Sequence, residues 1–155
     1  MLDRDSLIKS VFAGVGAAVA IGLLAWLDTL QTGLMFLMAP LGASAVLVFG
    51  VPDSPLAQPK NVIFGHFLTA VIGVTFVVLF PVTPITIALA TGLGVSGMLM
   101  TKTTHPPAGA NPILILMAGA GWPFLLFPVF VGAIAIVLIG KVFAEINKQV
   151  IAKPM

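Results

Sequence analysis

The feature that most constrains this chain is a short motif that occurs twice, each time inside an apolar stretch. The segment Pro40–Phe49 aligns with Pro107–Leu116 at a constant offset of 67 residues. Both copies read Pro-x-Gly-Ala-(Ser/Asn)-x and continue with four apolar residues. A proline inside a helix removes a backbone donor and clashes with the preceding turn, so each copy should kink or stop a helix. The chain is therefore predicted to have two related halves, each with one broken apolar segment, as in small membrane transporters.

The composition places the chain in a membrane. Hydrophobic residues make up 59% of the 155 residues and charged residues only 8%, whereas soluble domains carry roughly 25% charged residues. The chain is therefore predicted to be a single membrane domain, residues 1–155, in contact with the lipid bilayer. It has no cysteine, which excludes disulfides, thiolate metal sites and cysteine catalysis.

The polar residues do not indicate a metal, cofactor or nucleic-acid site. The acidic residues are predicted at the ends and edges of apolar runs, and two histidines alone make a poor metal site. The segment Gly92–Gly97 matches G-x-G-x-x-G, but a dinucleotide site needs a strand before it, and this segment lies inside an apolar run. No nucleophile, base and acid lie near one another in sequence, so we do not expect an enzyme.

Four apolar runs are free of breaks and two are interrupted. The clean runs are Ser10–Leu27, Val62–Phe80, Ile85–Met100 and Phe124–Gly140, and the broken ones are Thr32–Val51 and Ala108–Ala118. This pattern predicts an all-α polytopic membrane protein with two inverted repeats, each of two clean transmembrane helices plus one broken or re-entrant helix. The first repeat would span about residues 7–80, the second about 85–143, and a cytoplasmic tail 144–155. The first run is predicted to be a retained span, not a cleaved signal peptide.

The basic residues favour a topology in which all six segments cross the membrane. With the N-terminus inside, six crossings place all seven lysines and arginines on the cytoplasmic side, and four crossings place five there. Basic residues tend to stay cytoplasmic. Against six crossings, residues 108–118 are too few for a full span, which needs roughly 20 helical residues. Whether the broken segments cross or re-enter is therefore left open, and both termini are expected in the cytoplasm.

Small residues recur four apart in two of the clean runs. One row is Gly14, Ala18 and Gly22, and the other is Gly65, Thr69 and Gly73. Small residues let neighbouring helices approach closely. We expect close packing along both rows, and a homo-oligomer, because a thin protein with several small-residue faces has surfaces to offer a second copy.

The two broken segments are predicted to form an anion site without charged side chains. The second half of each broken helix should begin after the proline, near Ala43–Ser44 in the first copy, and direct unpaired N–H groups and the positive dipole end at the site. Ser44 and Asn111 would add side-chain donors. The predicted substrate-binding residues are Pro40, Gly42, Ala43, Ser44, His105, Pro106, Pro107, Gly109, Ala110 and Asn111. The alternative is that the glycines and prolines only shape tight packing.

Two histidines, a lysine and a threonine are candidates for the path. His105 can attract an anion or carry a proton near physiological pH, and the alternative is an interfacial histidine that caps a helix end. His66 fits a packed histidine bonded to a neighbouring helix slightly better than a residue with a transport role. Lys102 either draws anions in or only sets the topology, the second being favoured. Thr104 adjoins the same segment.

Three blocks of sequence resemble the HPP family of integral membrane proteins, which is named for the tripeptide found here at His105–Pro107. The blocks are Ala39–Leu47, Pro52–Asn61 and Thr104–Ala110, and together with the apolar runs the similarity covers nearly the whole chain. The resemblance implies four transmembrane helices, which requires the broken segments to be re-entrant. It also implies transport, since members from cyanobacteria and chloroplasts are implicated in nitrite transport. Some bacterial members carry a cytoplasmic CBS-domain extension that this chain lacks, so nucleotide regulation in cis is not expected.

We therefore expect a passive or proton-coupled transporter or channel for a small monovalent anion, with nitrite as the favoured substrate. Nitrite is small, bent and singly charged, and it accepts hydrogen bonds from N–H and hydroxyl donors. The alternatives are a channel for a neutral small solute and a structural or sensory membrane protein that transports nothing. The expected location is the inner (plasma) membrane of a bacterium or cyanobacterium.

Overall fold

The computed structural model describes residues 3–30 and 33–151, and within these ranges all regular structure is helical. The α-helices of the described chain are α1 (Arg4–Asp28), α2 (Ala39–Ala45), α3 (Pro59–Leu79), α4 (Pro84–Thr101), α5 (Asn111–Ala118) and α6 (Val131–Ile151). Short 3₁₀ turns lie at Pro55–Ala57, Pro106–Ala110 and Trp122–Leu125. The predicted all-α class is confirmed.

Four helical segments are long and apolar enough to cross a membrane. Three are α1, α3 and α4, and the fourth is the run Trp122–Gln149, in which a 3₁₀ turn and a π-helical turn, Leu126–Phe130, lead into α6. These segments correspond to the four clean apolar runs. Because α6 continues to Ile151, the range assigned to a tail, 144–155, begins inside the last helix, and residues 152–155 lie outside the described residues.

The two broken segments form short helices. α2 has 7 residues, with Pro40 in its first turn, and continues as the π-helical turn Val46–Gly50. The 3₁₀ turn Pro106–Ala110 leads directly into α5, which has 8 residues. Both helices are much shorter than the roughly 20 residues of a membrane-spanning helix. The breaks predicted at the two copies of the motif are therefore present.

The first short helix begins earlier than predicted. α2 starts at Ala39 and not near Ala43, because a proline in the first turn gives up only an N–H that would be unbonded there and its fixed φ suits the helix. Met38 precedes the helix in extended conformation, with φ −141° and ψ 150°. Ser44 therefore lies inside α2 and not at a free helix end.

α3 is in contact with α4, α5 and α6 and packs closely on the chain that follows α4. A Cβ added at Gly65 would lie 2.8 Å from the carbonyl oxygen of Thr103, and one at Gly73 would lie 3.1 Å from Cα of Pro112. The close approach predicted along the row that contains Gly65 and Gly73 is thus confirmed. It brings the second copy of the motif against the side chains of α3.

On α1 the close contact is made by a different glycine. Gly16 lies against the rings of Phe49 and Phe143, which pack edge to face with their centroids 6.0 Å apart. The predicted row from Gly14 to Gly22 is exposed, and nothing lies within 4 Å of a Cβ built at either of these two glycines. That row therefore makes no close contact within the described part of the chain.

The carboxylate of Asp28 holds the chain between α1 and α2. It accepts the backbone N–H of Phe36 at 2.6 Å and that of Leu37 at 3.3 Å. Hydrogen bonds to a carboxylate are charge-assisted and stronger than neutral ones. They keep the connecting residues Phe36 and Leu37 beside the end of α1, just before α2 begins.

The apolar core joins the short helices to the long ones. Its fully buried side chains include Leu24, Leu41, Val74, Ile115 and Ile136, which come from five different helices. Burying such side chains stabilises the assembly of these helices. The short helices α2 and α5 are thereby held in place, α5 against α3 and α2 against α1 and α6.

Candidate functional site

Four polar side chains from four segments are fully buried where the two broken segments meet α3. Ser44 lies in α2, His66 in α3, His105 just before the 3₁₀ turn Pro106–Ala110, and Asn111 at the start of α5, and each is 0% exposed. We call these four side chains the polar cluster. A buried polar group is costly unless it is hydrogen-bonded. The contacts within the cluster therefore determine what it can do.

Ser44 lies between the two imidazoles of the cluster. Its Oγ is 2.7 Å from Nε2 of His66 and 2.8 Å from Nε2 of His105, and it is also 3.1 Å from the carbonyl oxygen of Pro40. The two rings are tilted by 63°, with their centroids 5.0 Å apart. A serine hydroxyl has one proton and can also accept. It can therefore donate to one imidazole while it accepts a hydrogen bond from the other, and the carbonyl of Pro40 competes for the same proton at a longer distance.

Nδ1 of His105 is hydrogen-bonded to a backbone carbonyl. The nitrogen lies 2.8 Å from the carbonyl oxygen of Leu56, in the loop before α3. A carbonyl oxygen only accepts, so Nδ1 must carry the proton. In the neutral ring, Nε2 of His105 is then an acceptor and needs the hydroxyl proton of Ser44.

Nδ1 of His66 contacts the side-chain amide of Asn111. Nδ2 of Asn111 lies 3.0 Å from Nδ1 of His66, 3.0 Å from the carbonyl oxygen of the same residue and 3.1 Å from Oγ1 of Thr69. The Thr69 hydroxyl donates to the carbonyl oxygen of Gly65 at 2.9 Å and is left to accept. The amide has two N–H protons for these three acceptors, and its Oδ1 lies 3.4 Å from Nδ1 of His66. We assign the shorter Nδ2 contact as the hydrogen bond, in which Nδ1 of His66 accepts.

With both rings neutral, the hydrogen bonds of the cluster form a single directed chain. The amide of Asn111 donates to Nδ1 of His66, and Nε2–H of His66 donates to the hydroxyl of Ser44. The hydroxyl donates to Nε2 of His105, and Nδ1–H of His105 donates to the carbonyl of Leu56. Imidazoles linked through a hydroxyl can pass a proton from one ring to the other, because each neutral ring has one nitrogen that carries a proton and one that accepts. This hydrogen-bond chain is the chemical capability that the geometry provides.

The predicted site residues divide into two groups. Pro40 and Pro107 are buried beside the polar cluster residues Ser44, His105 and Asn111, whereas Gly42, Ala43, Pro106 and Ala110 are exposed and Gly109 is half-buried. No atom lies within 4 Å of a Cβ built at either motif glycine, Gly42 or Gly109. Neither of these two glycines is therefore required by close packing in the described chain. Gly42 is exposed on α2, and Gly109 lies half-buried in the 3₁₀ turn before α5.

Two of the candidate path residues lie at the edge of the site. Lys102 is exposed and ends α4 in the left-handed conformation, with φ 55° and ψ 43°. Thr104 is half-buried, and its carbonyl oxygen accepts from Nδ2 of Asn61 at 2.9 Å. That bond ties the chain before His105 to the start of α3. Neither side chain is part of the hydrogen-bond chain.

His66 takes part directly in the hydrogen-bond chain, whereas its sequence context slightly favoured a packed histidine. It contacts Ser44 and Asn111 directly, and the contact with Ser44 is as short as that between a nucleophile and its base. A signal was present, because His66 and Thr69 are three apart and Gly73 follows four later, which places all three on one helix face. The backbone carbonyl of Leu56 and the hydroxyl of Thr69 were not anticipated. Among residues 3–30 and 33–151, no three histidine, cysteine, aspartate or glutamate side chains form a group that could hold a metal ion.

Four apolar helices of membrane-spanning length, with a polar cluster enclosed among shorter helices, define a polytopic helical membrane protein. The family model described as HPP, transmembrane region, matches residues 3–151. The chain belongs to this family.

The curated relatives that match are larger proteins. A Dictyostelium discoideum protein described as a transmembrane protein is 36% identical over 137 residues, which is 83% of this chain and 43% of the relative. A second protein from the same organism, also described as a transmembrane protein, is 35% identical over 144 residues, 88% of this chain and 50% of the relative. The chain thus spans half or less of the length of these relatives. No solved structure matches the chain.

Proposed function

We propose that this membrane protein moves a small monovalent anion across the bilayer, with nitrite as the favoured substrate, and that the polar cluster is part of the path. The observation that carries the proposal is the buried hydrogen-bond chain through Ser44, His66 and His105. Ionisable residues inside a membrane protein are costly and mark ion paths and proton relays. Both histidines of the chain lie in this one cluster.

The donors of the cluster suit an anion that is the conjugate base of a weak acid. In the closed arrangement the N–H of His105, the hydroxyl of Ser44 and the amide of Asn111 bond to groups of the protein itself. If the carbonyl of Leu56 moved away, His105 would offer its Nδ1–H to an anion. A second proton on that ring would add a positive charge, which favours the binding of the anion. Anion and proton would then cross together as a neutral pair.

The two copies of the motif support the proposal through their side chains. Ser44 and Asn111 occupy equal positions in the two copies, and each bonds to His66. Binding by free helix ends, as first expected, has less support because Ser44 lies within α2. We therefore assign anion binding to side-chain donors held by the short helices. The proposal is one of transport without an enzymatic step.

Anion uptake by purified protein in liposomes tests the proposal. Nitrite, nitrate, formate and chloride are compared with and without an imposed pH gradient, and protein-free liposomes give the baseline because protonated nitrite leaks through lipid. We expect saturable uptake that prefers nitrite and responds to the pH gradient. Flux of a neutral solute that ignores membrane potential would favour a neutral-solute channel instead. No flux of any solute would favour a structural or sensory protein.

The finer assignments also remain proposals. The exposed face from Gly14 to Gly22 would suit close contact with a second copy of the chain, which is consistent with a homo-oligomer. An inverted relation of the two halves, cytoplasmic termini and a bacterial or cyanobacterial inner membrane are proposed on the basis of the sequence. Chemical crosslinking of the protein in membranes would test the oligomer, and a product no larger than one chain would contradict it.

A further inference from the structure

A large cavity lies away from the polar cluster, at one end of the helices. Its volume is about 790 Å³, and it is enclosed by the first part of α1, the loop after α2, the start of α3 and the second half of α6. Its polar lining residues are Lys9, Asp53, Gln58, Lys141, Asn147 and Lys148. We call this cavity the basic pocket. The proposed transport function does not depend on it.

The basic pocket carries a surplus of positive charge. Three lysines line it, from α1 and α6, against the single carboxylate of Asp53. Lys148 also lies 3.7 Å from Glu145, but the two side chains are 76% and 64% exposed. Ion pairs this exposed are weak, so Lys148 can turn toward a ligand. The arrangement favours an anion that several ammonium groups can approach from different sides.

One lining residue of the pocket carries a buried side-chain acceptor. Oδ1 of Asn147, a residue that lines the pocket, is buried and has no hydrogen-bond partner among the described residues. A buried acceptor without a donor is costly, and most such atoms in proteins are bonded. A ligand that carries a hydroxyl or ammonium group beside its anionic group would supply the missing donor.

The inner wall of the basic pocket is apolar. Val48, Val137 and Ala144 line it, and a small crevice that shares Val48, Gly140 and Ala144 with it lies among three phenylalanines. The pocket therefore combines a basic rim with an apolar wall at the end of membrane-spanning helices. Lipid headgroups lie at that depth, and basic pockets between transmembrane helices bind anionic headgroups.

We propose that the basic pocket binds the phosphate group of an anionic phospholipid. The phosphate contacts Lys9, Lys141 and Lys148, and a hydroxyl or ammonium of the headgroup donates to Oδ1 of Asn147. Inorganic phosphate shares the charge chemistry but has neither the second donor group nor an apolar part. The lipid should therefore bind more tightly than free phosphate.

Binding to the purified full chain in detergent tests this site. Phosphatidylglycerol, phosphatidylcholine and inorganic phosphate are titrated separately, and bound ligand is counted by native mass spectrometry. Lys9→Gln and Lys141→Gln should each weaken phosphatidylglycerol binding about fivefold, the effect of one basic residue near an anionic lipid surface. Lys60→Gln removes the same charge from an exposed position outside the pocket and serves as the matched control. Asn147→Leu should reduce the preference for phosphatidylglycerol over inorganic phosphate, while the melting temperature shows that the variant is folded.

Three results would overturn the assignment. One is an equal loss of binding in Lys60→Gln, which would indicate a diffuse attraction of the lipid to any surface charge. Another is equal affinity for phosphatidylglycerol and phosphatidylcholine. The third is saturable binding of inorganic phosphate without a preference for the lipid, which would retain a phosphate site but exclude the phospholipid as its ligand.

Discussion

Ser44 and Asn111 bind the two nitrogens of the same imidazole. Oγ of Ser44 lies 2.7 Å from Nε2 of His66, and Nδ2 of Asn111 lies 3.0 Å from Nδ1 of that ring. The two residues are 67 positions apart and occupy equal places in a repeated motif. Each copy of the motif thus supplies one hydrogen bond to a histidine that belongs to neither copy. Turning the ring therefore breaks a hydrogen bond to one of the two short helices.

Ser44→Ala should interrupt the hydrogen-bond chain. It removes the only hydroxyl between the two imidazoles and leaves two buried ring nitrogens without that partner, at a cost of about 1–3 kcal/mol of stability. We expect nitrite uptake in liposomes to fall to near the protein-free baseline. Ser96→Ala, at an exposed position of α4, is the matched control and should transport normally. Equal rates in the two variants would argue against a role for the chain in transport.

His105→Gln should separate proton coupling from anion passage. Glutamine can still donate to the carbonyl of Leu56 and accept from Ser44, but it does not take up a proton near neutral pH. We expect reduced nitrite uptake whose residual rate no longer responds to an imposed pH gradient, whereas His105→Ala should lose most of the uptake. Rates are measured in liposomes with matched amounts of inserted protein. A full response to the pH gradient in His105→Gln would show that this ring does not carry the coupled proton.

Gly65→Ala should disturb the site from the side of α3. Its Cβ would lie 2.8 Å from the carbonyl oxygen of Thr103 and 3.0 Å from Cβ of His105, so the chain before the 3₁₀ turn must shift. We expect a loss of about 1–3 kcal/mol in stability and lower uptake. Gly92→Ala in α4 is the control, because its Cβ meets no atom within 4 Å and alanine favours a helix by about 0.5–1 kcal/mol. Thermal unfolding in detergent compares the two, and the idea fails if Gly65→Ala melts at or above the wild-type temperature.

The crossing number can be tested by single cysteines, because the chain has none of its own. Lys9 and Asp53 both line the basic pocket. The start of α1 and the loop that contains Ser54 therefore lie at the same end of the helices. We therefore expect Ser54→Cys and Ser6→Cys to react with an impermeant thiol reagent from the same side, and Val82→Cys from the other. Reaction of Ser54→Cys from the side opposite to Ser6→Cys, with Val82→Cys on the side of Ser6→Cys, would instead support four crossings with re-entrant short helices.

The long helices were predictable because each clean apolar run is long enough to form one. The start of α2 was not, since a proline stops a helix that precedes it but is well suited to the first turn of a new one. A proline at position 40 predicts a break whether a helix ends before it or begins with it. The extended backbone of Met38 shows that the helix begins there. The packing face of α1 was also not predictable. A helix that is apolar on all sides gives Gly14 and Gly16 the same sequence signature.

The cluster was predictable in part. Ser44 and Asn111 stood out because they repeat, and His105 because it adjoins the second copy of the motif. The role of His66 depends on Ser44, His105 and Asn111, which lie far from it in sequence. Its shared helix face with Thr69 and Gly73 indicated only that it packs against another segment. The carbonyl of Leu56 has no sequence signal at all, because every residue has a carbonyl and only the fold selects this one.

That carbonyl gives the buried chain a fixed polarity. It has lone pairs but no proton, so the reversed arrangement, with Nδ1 of His105 as an acceptor, would place two acceptors against each other. An excess proton that reaches His66 should therefore pass through Ser44 and come to rest on His105, beside the loop that lines the basic pocket. The protonated cluster would then hold its positive charge toward one end of the helices. The two sides of the membrane would be electrically inequivalent for an approaching anion even before the protein moves.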